Sequence, residues 1–212
     1  MKKFITFEGG EGTGKTTQSK LLSKSLLKIK EDNLLTREPG GTFFSEKIRK
    51  LLVNNREDNI SVETEFLLIY ASRFQHLKEK VVPALKNKTV ICDRYIHSTY
   101  CYQDGIKNLE KKIKFIHKYF AYNLMPDLTI LIDLPPEEGI RRSLKIKKVE
   151  TRFEKKDLLF HKEIRQKFLR LSNKNKNIFK IDGLCSKKDI HTQIINYLNS
   201  KLYYKKKLPY II

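Results

Sequence analysis

The sequence predicts an α/β fold in three layers, a parallel sheet between two layers of helices, and three observations carry that prediction. Five short β-rich runs, Phe4–Phe7, Leu34–Thr36, Thr89–Cys92, Leu128–Ile132 and Asn177–Ile181, alternate with helical periodicities. Most of these runs are nearly continuous in apolar residues, as strands covered on both faces are. The first run feeds a glycine-rich turn and then a helix, and no repeat, low-complexity segment or interdomain linker interrupts the 212 residues. That length suits one well-buried domain, taken as residues 1–212.

Each element follows in order. After Phe4–Phe7, the stretch Gly9, Gly10, Glu11, Gly12, Thr13, Gly14, Lys15, Thr16 matches G-x-x-x-x-G-K-[ST] between a buried strand and a helix. Glycines let successive amide N–H groups converge on a phosphate, and the helix N-terminus adds the positive end of its dipole. Lys15 can then reach the outer phosphates of a nucleotide, and the Thr16 hydroxyl can serve Mg²⁺. The expected triphosphate contacts run from Gly9 to Thr17. A helix is expected over Lys15–Lys30, with Gln18, Leu21, Leu22, Leu26 and Leu27 at helical spacing. Arg37 to Thr42 breaks regular structure behind the second strand. Helices follow over Ser45–Val53, with Ile48, Leu51 and Leu52 inward, and over Val62–Ala84, where Pro83 predicts a break near the end. The third and fourth strands end in Asp93 and Asp133, and Ile190–Leu202 closes as an amphipathic helix. Lys205–Lys207 with Tyr203, Tyr204 and Tyr210 reads as a packed or frayed terminus.

Composition narrows the class. Lys+Arg 44 less Asp+Glu 24 leaves +20, but the lysines are scattered, so most of the excess belongs to solvated faces and only a few arginines to function. No aromatic and basic stripe points to nucleic acid. Cys92, Cys101 and Cys185 are an odd number without C-x-x-C, which suggests a reducing compartment and no zinc site. The apolar run behind Met1-Lys2-Lys3 is too short for a signal peptide, and no segment approaches the ~20 apolar residues that cross a bilayer. A cytoplasmic enzyme is the expectation.

The reaction has to come from the other side of the nucleotide. The guanine-reading patterns D-x-x-G and [NT]-K-x-D are absent, which argues against a GTP switch. Asp93-Arg94 ends the Thr89–Cys92 strand, where an acid can hold Mg²⁺ and an arginine a second anion. Arg37 ends an adjacent strand, and ligands of open sheets collect at the strands' carboxyl ends. Two arginines facing a triphosphate suggest an acceptor that itself carries a phosphate, hence a nucleoside monophosphate kinase. A kinase for another nucleotide such as dUMP or for a deoxynucleoside, and a P-loop ATPase or nucleotide-binding protein that acts on nucleic acid, are the alternatives. The basic segment Arg141, Arg142, Lys145, Lys147, Lys148 and Arg152 suits a lid over about 141–156, with Arg152 on the transferring phosphoryl group.

These motifs together resemble the bacterial thymidylate kinases. Phe7 to Gln18 is similar to that family's opening, Thr36-Arg37-Glu38-Pro39-Gly40-Gly41-Thr42 to its second signature, and Asp93-Arg94-Tyr95 through Ser98-Thr99 to Tyr102-Gln103 to its third. Pro126-Asp127-Leu128-Thr129, Arg152-Phe153-Glu154 and Phe160-His161 also fit. The resemblance implies a P-loop NTPase fold with a five-stranded parallel sheet flanked by helices and a short lid. It implies transfer of the ATP γ-phosphate to dTMP with Mg²⁺ and, usually, a homodimer through the helix around Glu63–Lys80. It places Arg37 and Arg94 on the dTMP phosphate, Asp93 between the two phosphates, Glu11 near the metal and the acceptor sugar, and Tyr102 under the deoxyribose. Arg73 and Gln103 would read the thymine edge in a pocket with Pro39, Ser98 and Thr99, and Arg49 would face the acceptor. The family often has a cis peptide where Glu38-Pro39 stands. The lid Arg152 would supply the charge that Gly12 does not. The family's usual F-x-x-x-R has Ile69 in the place of the base-stacking phenylalanine, with Tyr70 one position off.

Overall fold

Every residue of β1 (Phe4–Glu8) is buried, and the rest of the sheet is built outward from it. The structure, a computed structural model, describes residues 3–54, 60–145, 152 and 156–211. β2 (Asn33–Arg37), β3 (Thr89–Asp93), β4 (Leu128–Asp133) and β5 (Ile178–Asp182) complete a five-stranded sheet in the order β2-β3-β1-β4-β5, all parallel. β1 pairs with β3 on one side and β4 on the other, so the chain order switches at its carboxyl end. That position opens a crevice for a ligand.

Period-two alternation divides the core. Ile5 and Phe7 of β1 with Ile130 and Ile132 of β4 face α1 (Lys15–Lys28) and α9 (Lys187–Ser200), packing on Leu22, Leu26, Ile194 and Leu198. Phe4, Val90 and Cys92 face the opposite layer, with Phe66 and Tyr70 of α3 (Val62–His76) and Ile113 of α6 (Leu109–Phe120). Leu131 packs with Cys101 of α5 (Ile96–Tyr102) and with Ile164 and Phe168 of α8 (Leu158–Lys174). Thr6 and Glu8 share the face of Phe4, and the Thr6 and Thr129 hydroxyls hydrogen-bond at 2.8 Å within the sheet. Glu8 therefore ends β1 beneath α5.

Helix ends depart from expectation for identifiable reasons. The first helix stops at Lys28 because Lys30, at φ 63, lets the Lys30 and Glu31 amides donate back to the carbonyls of Leu27 and Leu26. That motif usually has glycine in the left-handed position, so the sequence carried no stop signal. α2 (Phe43–Val53) starts two residues early because the Thr42 hydroxyl accepts the Ser45 amide. α3 gives way to a π-helical turn over Leu77–Val81 and a last turn, α4 (Val82–Ala84). Pro83 has no N–H and its ring would strike the carbonyl of residue 79 in a regular helix, and the widened turn falls on that stretch. α7 (Pro136–Leu144) takes Arg141 and Arg142 into its last turn, so the expected lid begins as helix. The rest of that segment, apart from Lys145, Arg152 and Lys156, lies outside the described residues. Among the described residues no helix is long and apolar enough to cross a membrane.

The α1–α9 core should carry stability without touching substrates. Leu26→Ala, at a fully buried position, should lower the unfolding free energy in urea by about 2–5 kcal/mol while leaving both KM values unchanged.

Candidate active site

The glycine-rich turn has the shape that its sequence requires. Gly12 lies at φ 65, and a Cβ there would come within 1.9 Å of the Gly139 carbonyl oxygen at the start of α7, so only glycine lets the two backbones meet. Gly14 caps α1 from the left-handed region, and Lys15 opens the helix. The Lys15 ammonium donates to the Gly10 carbonyl at 2.5 Å. Burial and the neighbouring Arg94 depress its pKa to about 8, against the pull of Glu11 and Asp93. The Thr16 hydroxyl hydrogen-bonds Asp93 across the mouth of the turn.

Arg94 is the hinge of the site. It follows β3 at φ 69, where its amide still donates to the Phe7 carbonyl at 2.9 Å. Its guanidinium bonds Glu11 Oε1 at 2.6 Å, the Gly9 carbonyl at 3.1 Å and Ser98 Oγ at 3.2 Å. The Tyr102 hydroxyl donates to the same Glu11 oxygen at 3.0 Å. Burial alone would raise the Glu11 pKa, but Arg94 and Lys15 outweigh it and hold the carboxyl at about 2. Glu8 lies behind this cluster, with Oε1 accepting the Tyr95 and Ser98 amides at 2.8 and 3.2 Å and Oε2 the Ser98 hydroxyl at 2.6 Å.

Two cavities meet here. One is lined by the glycine-rich turn, Thr16, Thr17, Asp93 and, from the far side, Arg142, Cys185 and Lys187. The other gathers Pro39, Arg49, Ile69, Arg73, Ser98, Thr99, Tyr102 and Gln103. Glu11, Arg49 and Arg94 line both. Among the residues lining the second cavity, Arg73 Nη1 and Gln103 Oε1, a donor and an acceptor, are buried without a hydrogen-bond partner. Ile69 forms part of the wall, while Tyr70 turns away into the core to stack on Arg73.

Two expected residues sit elsewhere. Arg37 pairs with Glu46 at 2.8 Å and lines a third cavity with Thr16 and Asp93, on the β2 side of the turn. Arg152 donates to the Leu52 carbonyl at 2.8 Å and pairs with Glu65, at the rim of the second cavity and apart from the glycine-rich turn. Both pairings use carboxylates on α2 or α3 that the sequence did not single out. The Glu38-Pro39 peptide is cis, as the resemblance implied. Glu8 and His76 were also missed. An acid closing an apolar run was the available signal for Glu8, and a position three residues after Arg73, on the same helix face, for His76.

The donor set for a metal is limited. Among the described residues no three His, Cys, Asp or Glu side chains are grouped to hold an ion, and Glu11 is engaged by Arg94 and Tyr102. The Thr16 hydroxyl and Asp93 carboxylate fit Mg²⁺, a hard cation that keeps waters and takes most of its ligands from substrate phosphates.

Comparison with known proteins places the chain by sequence and by fold. Residues 7–194 match the family described as Thymidylate kinase. The chain is 43% identical over 201 residues to the thymidylate kinase of Acholeplasma laidlawii, covering 94% of this chain and 100% of that one. It is 41% identical over 203 residues to that of Caldanaerobacter subterraneus, covering 94% and 96%. The crystal structure of thymidylate kinase from Ehrlichia chaffeensis matches with a TM-score of 0.73 at 32% identity, covering 93% of this chain and 98% of that one.

Glu8 should leave a signature in pH titrations. Burial pushes its carboxyl up to about 7 from 4.5, against the Ser98 hydrogen bond and Arg94. A raised acid contributes stability that is complete below pH 4.5 and lost as pH rises through about 7. Relative to Glu8→Gln, which mimics the protonated form, the wild type should lose about 3 kcal/mol of unfolding free energy across that window, measured by denaturant titration.

Proposed function

Because the chain belongs to the thymidylate kinase family and transfers the γ-phosphate of ATP to dTMP, yielding dTDP, we propose that ATP binds on the glycine-rich turn and dTMP in the adjoining cavity. The observation that carries this division is the pair of unpartnered groups in the second cavity. Thymine offers a 4-carbonyl to Arg73 Nη1 and an N3–H to Gln103 Oε1, and so satisfies both. A cytosine base reverses the donor and the acceptor at those positions and leaves both unpaired in a buried site, which is where discrimination is large.

The rest of the acceptor follows from that anchor. Ile69 covers the base, Thr99 and Pro39 line the pocket, and Tyr102, its hydroxyl bonded to Glu11, lies under the deoxyribose. The 5′-phosphate then meets Arg94 with Ser98 and Arg49, at the junction of the two cavities. Lys15 and the turn amides hold the ATP phosphates. Thr16 and Asp93 would hold Mg²⁺, which supplies charge neutralisation across the β- and γ-phosphates. An acceptor phosphate oxygen bonds to the γ-phosphorus as the bond to the ADP oxygen breaks, so the residues position and neutralise rather than react. Arg37, paired with Glu46, and Arg152, paired with Glu65 and placed in the expected lid of about 141–156 within the single domain, would exchange those carboxylates for the phosphates. The three free cysteines suit a cytoplasmic setting.

A homodimer is supported by an apolar patch on α3 and α6. Leu67, Phe115, Tyr119 and Phe120 are all more than half exposed there. Size-exclusion chromatography with light scattering should give twice the 25.1 kDa chain mass, and Phe115→Glu should give the monomer.

A coupled ADP-release assay with ATP·Mg²⁺ tests the assignment. dTMP should turn over, dCMP should fall at least about a hundredfold behind in kcat/KM, and thymidine should not react. ADP release that requires polynucleotide and ignores dTMP would contradict it.

A further inference from the structure

Arg73 lines the cavity and is gripped through two of its guanidinium nitrogens and between two aromatic rings. Its Nε donates to Glu38 Oε2 at 2.7 Å and its Nη2 to Thr99 Oγ1 at 3.0 Å. Its guanidinium carbon lies 4.8 Å from the ring centres of both Tyr70 and Tyr95. These contacts suit a planar, delocalised cation. Nη1 is the nitrogen left over.

Glu38 is held in turn by a residue with no place in the reaction derived above. His76 Nδ1 lies 2.9 Å from Glu38 Oε1, and His76 Nε2 lies 2.7 Å from Thr36 Oγ1. The histidine is fully buried and the glutamate nearly so. Burial alone would raise the Glu38 carboxyl, but Arg73 and His76 hold it below the usual carboxylate range. An ionised carboxylate only accepts, so Nδ1 carries the proton toward Glu38. The slot for the ring is closely fitted, since a Cβ on Gly41 would come within 2.5 Å of it. A continuous hydrogen-bonded chain thus runs from the half-buried Thr36 near the end of β2 through the buried His76, Glu38 and Arg73 to Thr99 on α5.

We propose that Glu38 and His76 are positioning residues for pyrimidine selection, which together aim Arg73 Nη1 at the 4-oxo group of the acceptor base. The inference rests on the reading of Arg73 as a base-contacting residue. A buried guanidinium without Glu38 has to find another acceptor, and turning toward one removes Nη1 from the base edge. Removal of His76 frees Glu38 to follow. Affinity for dTMP and discrimination against a 4-amino base then fall together, whereas the ATP site, built from the glycine-rich turn, is unaffected.

The test compares KM for dTMP, KM for ATP, kcat and the dTMP-to-dCMP ratio of kcat/KM across five variants, each checked by thermal melting. Glu38→Gln keeps the shape and removes the charge. His76→Phe keeps the ring and removes both hydrogen bonds, while His76→Asn retains a donor toward Glu38 and Thr36→Val perturbs only the far end of the chain. Arg73→Met tests the reading on which the inference stands. Glu38→Gln and His76→Phe should raise the dTMP KM about tenfold or more and lower the dTMP-to-dCMP ratio about tenfold, with the ATP KM within about twofold. His76→Asn should recover most of the loss, and Thr36→Val should shift the same quantities about two- to threefold. A large effect of Arg73→Met, with Glu38→Gln and His76→Phe either silent or raising both KM values equally, would overturn the positioning role. If Arg73→Met itself left the dTMP KM and the ratio unchanged, the base-reading assignment would fall first. Where a variant at Glu38 or His76 does not fold, Thr36→Val decides the matter, and an unchanged dTMP KM and dTMP-to-dCMP ratio in it would count against the proposal.

Discussion

The ion pair between Arg94 and Glu11 stands where two cavities meet, and both residues line both of them. Arg94 stands at the end of a strand in a backbone conformation that side chains seldom adopt, and its guanidinium reaches over the glycine-rich turn. Glu11 belongs to the turn itself, so the two cavities share one hydrogen-bonded unit. Tyr102, Ser98 and, behind them, Glu8 are arranged around it. Ionised groups this deeply placed are costly alone and tolerable only with their remaining hydrogen-bonding capacity met, which is the condition this cluster satisfies.

The same logic organises the base pocket at one remove. Glu38 neutralises Arg73 as Glu11 neutralises Arg94, and each arginine is flanked by aromatic rings, Tyr70 and Tyr95 in one case and Tyr102 in the other. A chain with a formal charge of +20 therefore concentrates its buried acids at the site. There they hold cations in place beside the cavities. On the proposed reading, selectivity in such a pocket depends on how little the arginine can move, and the residues behind it share in the recognition.

Much of this was legible in the chain itself. The five strands, the turn from Gly9 to Thr16 and the Asp93-Arg94 pair follow from apolar runs, glycine spacing and charged residues at strand ends, all local signals. Lys30 shows where local signals fail, because a left-handed helix cap without glycine depends on two backbone hydrogen bonds that no residue type announces. Arg37 and Arg152 show a different limit. Their residue type identified them as cations, but which carboxylate holds each depends on the packing of α2 and α3, and Glu46 and Glu65 have no motif. Glu8 and His76 lay close to residues that were recognised, yet their roles come from contacts across the sheet and across the second signature.

The most direct measurement of the central claim is calorimetric titration of dTMP and of thymidine into the wild type and into Arg94→Gln. With Arg94 at the acceptor phosphate, the wild type should prefer dTMP over thymidine strongly, and the variant should bind both with nearly the same, weak affinity. An Arg94→Gln protein that still preferred dTMP as the wild type does would contradict the account, because the phosphate would then be held elsewhere.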